Sequence, residues 1–330
     1  PDLKGMGTTC TALVLVPRGA LVGHVGDSRA YRVRGGTIHQ LSRDHSLVWD
    51  LEAQAGGPDS VLPAGVPKNI ITRSMGPHET VKVDVEGPFP VEAGDVFVLC
   101  SDGLSGQVAD EEIGMLAAAL PPKDAAEALV GLALVRGAPD NVTVIVARAG
   151  EKERSKAAAN DPPWVLEEPE GGRRPVLPWR MLAVAAASLL GALVCNPDGD
   201  VMAALLPESV RGAIGWACVG LFSLVFLGTL LTAVLGFLVP AGGGRTLQPG
   251  RMLGKGPYRE YDCRPTDDLV EGIAASVEAS ADGLDGDARR TCVAPLAAAR
   301  SAAAGGDFAA ACAGVAESLA VFRRAVDSRG

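Results

Sequence analysis

Residues 213–239 run for 27 positions without a charged side chain. The hydrocarbon core of a bilayer takes about 20 apolar residues of helix, so this block predicts a membrane-spanning helix. It also divides the chain, because whatever folds in water must be built from the residues on either side. A second apolar block, residues 181–195, is shorter. Trp179 and Arg180 stand where interfacial side chains would extend it, and it predicts a second span, with a buried or interfacial helix as the alternative. Arg173, Arg174 and Arg180 precede the pair and Arg245, Arg251, Lys255, Arg259 and Arg264 follow it, whereas the connector carries Asp198, Asp200 and Glu208 against Arg211. This asymmetry predicts a two-helix anchor over residues 179–240, multi-pass in the cell membrane, with both flanks cytoplasmic. The absence of charges inside the two blocks argues against a transporter.

The net charge of −9 and the lack of a basic stripe exclude a nucleic-acid binder, which needs clustered Lys and Arg to neutralise phosphates. The seven cysteines (Cys10, Cys100, Cys195, Cys218, Cys263, Cys292 and Cys312) are scattered, odd in number and free of C-x-x-C spacing. They fit neither a zinc site nor a disulfide framework and read as small apolar residues in a reducing compartment.

Residues 1–150 carry alternating and continuous apolar runs of strand length. Residues 8–16 and 20–25 flank a Pro17–Gly19 turn as a hairpin, and 28–34 and 37–42 flank Gly35 and Gly36 as another. Ser42 or Asp44 is placed to cap a helix over 45–55; a surface loop runs to Asn69, and residues 70–76 form a short buried strand or turn. Residues 95–101 and 142–149 predict central strands buried on both faces. Between them lie a helix capped by Asp110 and another over 123–136. The order predicts an α+β fold, an αββα sandwich of two antiparallel sheets flanked by helices. Residues 151–178 are a polar, proline-rich linker and 241–265 a basic juxtamembrane linker. Residues 266–330 predict a small α-helical region in which Pro295 kinks or restarts the second helix. The last helical pair turns at Gly305 and Gly306 behind an Asp307 cap and resembles one tetratricopeptide-type unit, which must bury its second face on neighbouring helices or on a partner.

Three aspartates stand at the ends of predicted strands beside small residues: Asp27 in HVGDSRAY, Asp102 in VLCSDGLSG and Asp140 in GAPDNVTVIV. Singly, each is more often a turn residue. Gathered on one rim without Lys or Arg they would repel one another unless hard cations lay between them. Together with GMGTT, LSRDHS and ITRSMG, these segments occur in the order and approximate spacing of the metal-dependent serine/threonine protein phosphatases, the PPM or type 2C family, in its bacterial form. The resemblance covers residues 5–148.

That resemblance implies two Mg or Mn ions, with a third in bacterial members, a bridging water as nucleophile and no phosphoenzyme. Asp102 and Asp140 match the family's metal-binding aspartates, Asp27 matches the residue at its third metal, and residues 46–72 match the flap beside its active site. Expected partners are phosphorylated proteins, serine/threonine kinases and their substrates, and the lipid bilayer. The family's metal-bridging Asp-Gly and phosphate-binding Arg precede GMGTT. The chain opens on Pro1 and reaches Gly5 at once, which predicts an N-terminally truncated domain with little activity of its own. A catalytically dead scaffold that docks partners through the C-terminal helices is the rival reading. His45 in SRDHS is a weak candidate for protonating the leaving group and more often a structural residue. Ser101 lacks a paired His or a G-x-S-x-G elbow, and Gly242–Gly244 form a hinge rather than a phosphate loop.

Overall fold

The structure is a computed structural model, and it describes residues 5–55, 66–67, 70–150, 164–166, 179–238, 245–247 and 252–328. Most of the predicted 56–69 loop, most of the 151–178 linker, and residues 241–244 and 248–251 of the 241–265 linker lie outside the described residues. Two compact units are present: Pro1–Asp161 together with Pro249–Gly330, and Pro162–Gln248.

In the first unit, β1 (Cys10–Val16) and β2 (Gly19–Val25) form the expected hairpin, with Cys10 opposite Val25 and Val16 opposite Gly19. Gly19 has φ 144°, and a Cβ there would lie 2.2 Å from the Phe89 carbonyl oxygen, so only glycine lets the next strand approach. That strand, β5 (Asp84–Phe89), pairs with the other edge of β2 and has no counterpart in the sequence-based reading. Its glycine and proline break the strand pattern. The second hairpin joins β3 (Arg29–Arg34) and β4 (Thr37–Gln40) through Gly35 and Gly36, both at positive φ as a two-residue turn requires. With β6 (Val96–Cys100), β7 (Val144–Arg148) and β10 (Arg259–Asp262) they make a five-stranded antiparallel sheet in the order β10-β4-β3-β6-β7. Two antiparallel sheets with flanking helices therefore match the expected fold.

Several local expectations are corrected. The 142–149 run is not central: β7 is the edge of its sheet and Ile145 is 57% exposed, so its continuous apolar pattern does not report burial on two faces. Residues 70–76 are not buried, and their strand pairing is limited to isolated bridges from Ile71 to Ser46 and from Met75 to Thr8. Helix α1 (Leu47–Ala55) is capped by Ser46, whose Oγ accepts the Trp49 N–H at 3.3 Å. Ser42 instead accepts the Ala30 N–H and Asp44 binds Arg29 and Gln40, because the neighbouring strand supplies donors that outcompete the helix end. After the single-turn α2 (Asp102–Ser105), α3 (Asp110–Ala119) starts one residue earlier than expected. Its cap position is Ala109, whose N–H Glu112 accepts, while Asp110 accepts the Tyr31 hydroxyl at 2.6 Å.

The two sheets enclose Val22, Ala30, Leu41, Phe89 and Phe97. On the other face of the five-stranded sheet, α3 and α4 (Pro122–Val135) share one core with the C-terminal helices α8 (Asp267–Ala281), α9 (Gly286–Ala304) and α10 (Phe308–Asp327). Leu129, Leu132, Ile273, Leu296 and Leu319 are fully buried there. Each such side chain contributes roughly 1.5–3 kcal/mol by leaving water. Helix α9 continues through Pro295, and Asp307 caps α10 by accepting the Ala310 N–H at 3.1 Å.

The second unit holds β8 (Trp164–Leu166) paired antiparallel with β9 (Arg245–Leu247), and the helices α5 (Trp179–Val194), α6 (Asp200–Leu205) and α7 (Glu208–Leu238). Helix α7 packs along α5, with Gly191 against the Phe222 ring and Gly215 against Pro197. Among the described residues one stretch, Glu208–Thr232 of α7, is long and apolar enough to cross a membrane; α5 is too short by the same measure.

Candidate metal-binding rim

Strand register brings the three aspartates to one rim of the five-stranded sheet. Arg29 lies opposite Cys100 and Cys100 opposite Val144, so the residues just beyond these ends, Asp27, Asp102 and the 140–143 segment, continue off the same side. Ser101 fastens two of the segments together. Its Oγ donates to the Asn141 carbonyl oxygen and accepts the Thr143 N–H, both at 3.0 Å, and its own N–H reaches Thr143 O at 3.1 Å. Gly103 closes the gap: a Cβ there would sit 2.5 Å from the Asn141 carbonyl oxygen. Ser101 is thus a staple between loops, with both lone-pair and proton directions of its hydroxyl used.

Asp102 and Asp140 are exposed and Asp27 is half-buried. Burial first, and then the charge of Asp102, push the Asp27 carboxyl up to about 6. Among the described residues none of the three forms an ion pair with Lys or Arg. Hard carboxylate oxygens that disfavour one another's charge suit Mg or Mn. The donor set is nevertheless open: among the described residues no three His, Cys, Asp or Glu side chains gather closely enough to hold an ion by themselves.

The turn that presents Asp27 is held from below by two histidines. Gly26 has φ 118° and packs on Thr9, which excludes any side chain. Its N–H donates to His45 Nδ1 at 2.9 Å, and its carbonyl accepts the His45 N–H at 2.7 Å and lies 2.9 Å from His24 Nε2. With His45 Nδ1 accepting, a neutral ring carries its proton on Nε2, 2.9 Å from Asp84 Oδ2, while Arg73 Nη1 donates to Asp84 Oδ1 at 2.8 Å and lies at the same distance from His45 Nε2. Burial holds the His45 imidazole below its ordinary value; the Asp84 hydrogen bond opposes this and the Arg73 charge adds to it. Burial resists ionisation of Asp84, but the hydrogen bonds from His45 and Arg73 outweigh it and hold its carboxyl below the usual range. His45 is 4% exposed and all its polar atoms are engaged, which places it beneath the rim rather than on it. His24 reads in the sequence as a strand or turn residue, and Arg73 and Asp84 carry no signal there; only the fold brings these two to His45.

The chain's homologues are serine/threonine protein phosphatases of the PPM, or type 2C, family. It is 36% identical over 151 residues to protein phosphatase PhpP of Streptococcus pneumoniae, covering 46% of this chain and 61% of that protein. It is 38% identical over 151 residues to serine/threonine protein phosphatase PstP of Mycobacterium tuberculosis, covering 44% of this chain and 28% of that one. The chain thus spans about three fifths of PhpP and less of PstP. Among solved structures, a catalytic domain of PstP in complex with two manganese ions is 37% identical over 46% of this chain and 62% of its own, with a TM-score of 0.39. No family model matches the chain.

Proposed function

We propose that the chain is a membrane-tethered protein phosphatase that hydrolyses phosphoserine and phosphothreonine and so opposes serine/threonine kinases. The observation that carries this reading is the strand-end rim to which the register brings the Asp27, Asp102 and Asp140 segments, in a chain that is 36% identical to PhpP over 151 residues. Asp102 and Asp140 would hold Mg or Mn through their exposed carboxylates and Asp27 a further ion. Bound metal supplies a water made acidic enough to attack phosphorus and positive charge to neutralise the phosphoryl oxygens. The chain's own residues fix the donors: Ser101 locks Asp102 to the Asp140 loop, and His45 and His24 hold the turn that carries Asp27. Because the donor set is open, the 330-residue chain by itself is expected to turn over slowly. The same openness favours a second reading, a phosphatase-like scaffold that recognises phosphoproteins without hydrolysing them.

Attachment would run through α7, with α5 beside it as a second, shorter span. The arginines outside both apolar blocks would place the phosphatase unit and the C-terminal helices on the cytoplasmic side.

The test is hydrolysis of a phosphoserine peptide by the full chain with and without Mn. Manganese-dependent release of phosphate that disappears in Asp102→Asn and Asp140→Asn, with folding intact because both side chains are exposed, supports an enzyme. Manganese binding without phosphate release supports the scaffold, and fast turnover by this chain overturns the expectation of an incomplete donor set.

A further inference from the structure

The chain beyond the apolar helix returns to the first unit as a strap before it enters α8. Leu253 bridges to Gly87. The carboxylate of Glu86, 3% exposed, accepts the Lys255 N–H at 2.9 Å, the Gly256 N–H at 3.2 Å and the Tyr258 hydroxyl at 2.6 Å. A buried carboxylate satisfied by three donors, all from the strap, fixes that segment in one place. Gly254, at φ 71°, leaves no alternative residue, since a Cβ would fall 1.5 Å from Glu86 Oε2. The strap then continues as β10 along β4, from Arg259 opposite Gln40 to Asp262 opposite Thr37.

From this anchored strand two side chains reach helix α1. Tyr258 stands edge-on to Trp49 with ring centroids 6.0 Å apart, and the Arg259 guanidinium lies 4.1 Å above the Trp49 ring centroid and pairs with Glu52. Trp49 and Glu52 are one turn apart on α1, so the two residues grip one face of it. Helix α1 follows its cap Ser46 and, immediately before that, His45, whose ring and backbone hold Gly26 beside Asp27. The connection therefore runs from Arg259 to Trp49, from the Trp49 N–H to Ser46, and along the chain from Ser46 to His45 and the turn that carries an aspartate of the rim.

We infer that Tyr258 and Arg259 are positioning residues for the metal rim: they hold α1, and through His45 the Gly26–Asp27 turn, so the rim is shaped by chain that follows the membrane helix. The role of the rim in metal binding rests on the proposed function; the grip on α1 does not. Hydrogen exchange and Mn uptake by the full chain test the two links separately. Arg259→Gln and Tyr258→Phe are expected to speed exchange of the Leu47–Ala55 amides about 10-fold or more, with α8, α9 and α10 unchanged, and to weaken Mn affinity about 10-fold, the range seen when an outer support of a metal ligand is lost. Arg259→Lys, which keeps the charge but not the planar stacking on Trp49, is expected to fall between. Unchanged exchange in α1, equal loosening of α8 to α10, or a loosened α1 with Mn affinity as in the unsubstituted chain would each overturn the inference. If the unsubstituted chain takes up no Mn, the metal-rim reading fails and the inference falls with it, whereas the exchange data still decide whether the strap holds α1.

Discussion

His45 stacks on His24 with ring centroids 4.9 Å apart and an interplanar angle of 25°, and both rings bind the same residue, Gly26. Two imidazoles in van der Waals contact cannot both be charged at low cost. Burial first, then His45, lowers the His24 value from 6.5 to about 4. In the unfolded chain His24 takes up a proton near 6.5, and in the folded protein only near 4. Between these values the unfolded state binds more protons, so the contribution is fully present above pH 6.5 and is lost as pH falls toward 4. The loss is about 3 kcal/mol. His45, also held below its ordinary value, acts in the same direction. Urea unfolding at pH 7 and at pH 4.5 should show it, and a His24→Gln variant should flatten the dependence. Equal stability at the two pH values would count against buried neutral histidines.

The position of His45 separates support from catalysis. His45→Ala leaves the Gly26 N–H without its buried acceptor and removes a partner of Asp84, each worth about 1–3 kcal/mol. Manganese affinity is then expected to drop together with any phosphatase activity, because the Asp27 turn loosens. A residue that merely protonated the leaving group would lower turnover and leave metal binding intact. Calorimetric Mn titration of the variant distinguishes the two.

Ser101 sits beside Asp102, where a nucleophile would be sought, yet its hydroxyl binds Asn141 and Thr143. Ser101→Ala deletes that staple and leaves the Thr143 N–H unpaired. The expected result is reduced rather than abolished activity, with loss of Mn affinity and faster exchange at residues 140–143. Complete loss of turnover at unchanged Mn affinity would point to chemistry at the hydroxyl itself.

The local order of the first 150 residues was legible because hairpin turns and apolar runs declare themselves: Gly35 and Gly36 can do little but turn, and 95–101 reads as a buried strand. Edge and centre were not legible. β7 carries the same continuous apolar run as β6, and only pairing distinguishes them. β5, with Gly87 and Pro88 inside it, breaks the strand rule and is held by the neighbours it meets. The aspartates of the rim could be named from the residues around them, but not their supports, since His24, Arg73 and Asp84 acquire meaning only through contacts with Gly26 and His45. The basic residues 252–264 read as a linker, because charge and a short strand give no sign that Glu86 and Trp49 wait about 170 and 210 positions upstream.

That long-range closure has a thermodynamic consequence for the C-terminal helices. Leu319 on α10 is fully buried, and it faces Gly131 on α4, where an added Cβ would come within 3.1 Å of the Leu319 Cβ and 3.2 Å of its carbonyl oxygen. The helices meet backbone to backbone there because Gly131 has no side chain. Leu319→Ala should cost about 2–5 kcal/mol as a cavity opens in the core shared by α4 and α10. Gly131→Val should destabilise by a different route, pushing α10 away from α4 by overpacking. Both substitutions lie on helices other than α1, which carries Trp49, yet if the first unit unfolds cooperatively the fluorescence of Trp49 should report the same lowered midpoint as the helical signal of α8 to α10. A Trp49 transition unmoved by Leu319→Ala would show that the C-terminal helices unfold on their own, as a dispensable appendix to the phosphatase-like residues.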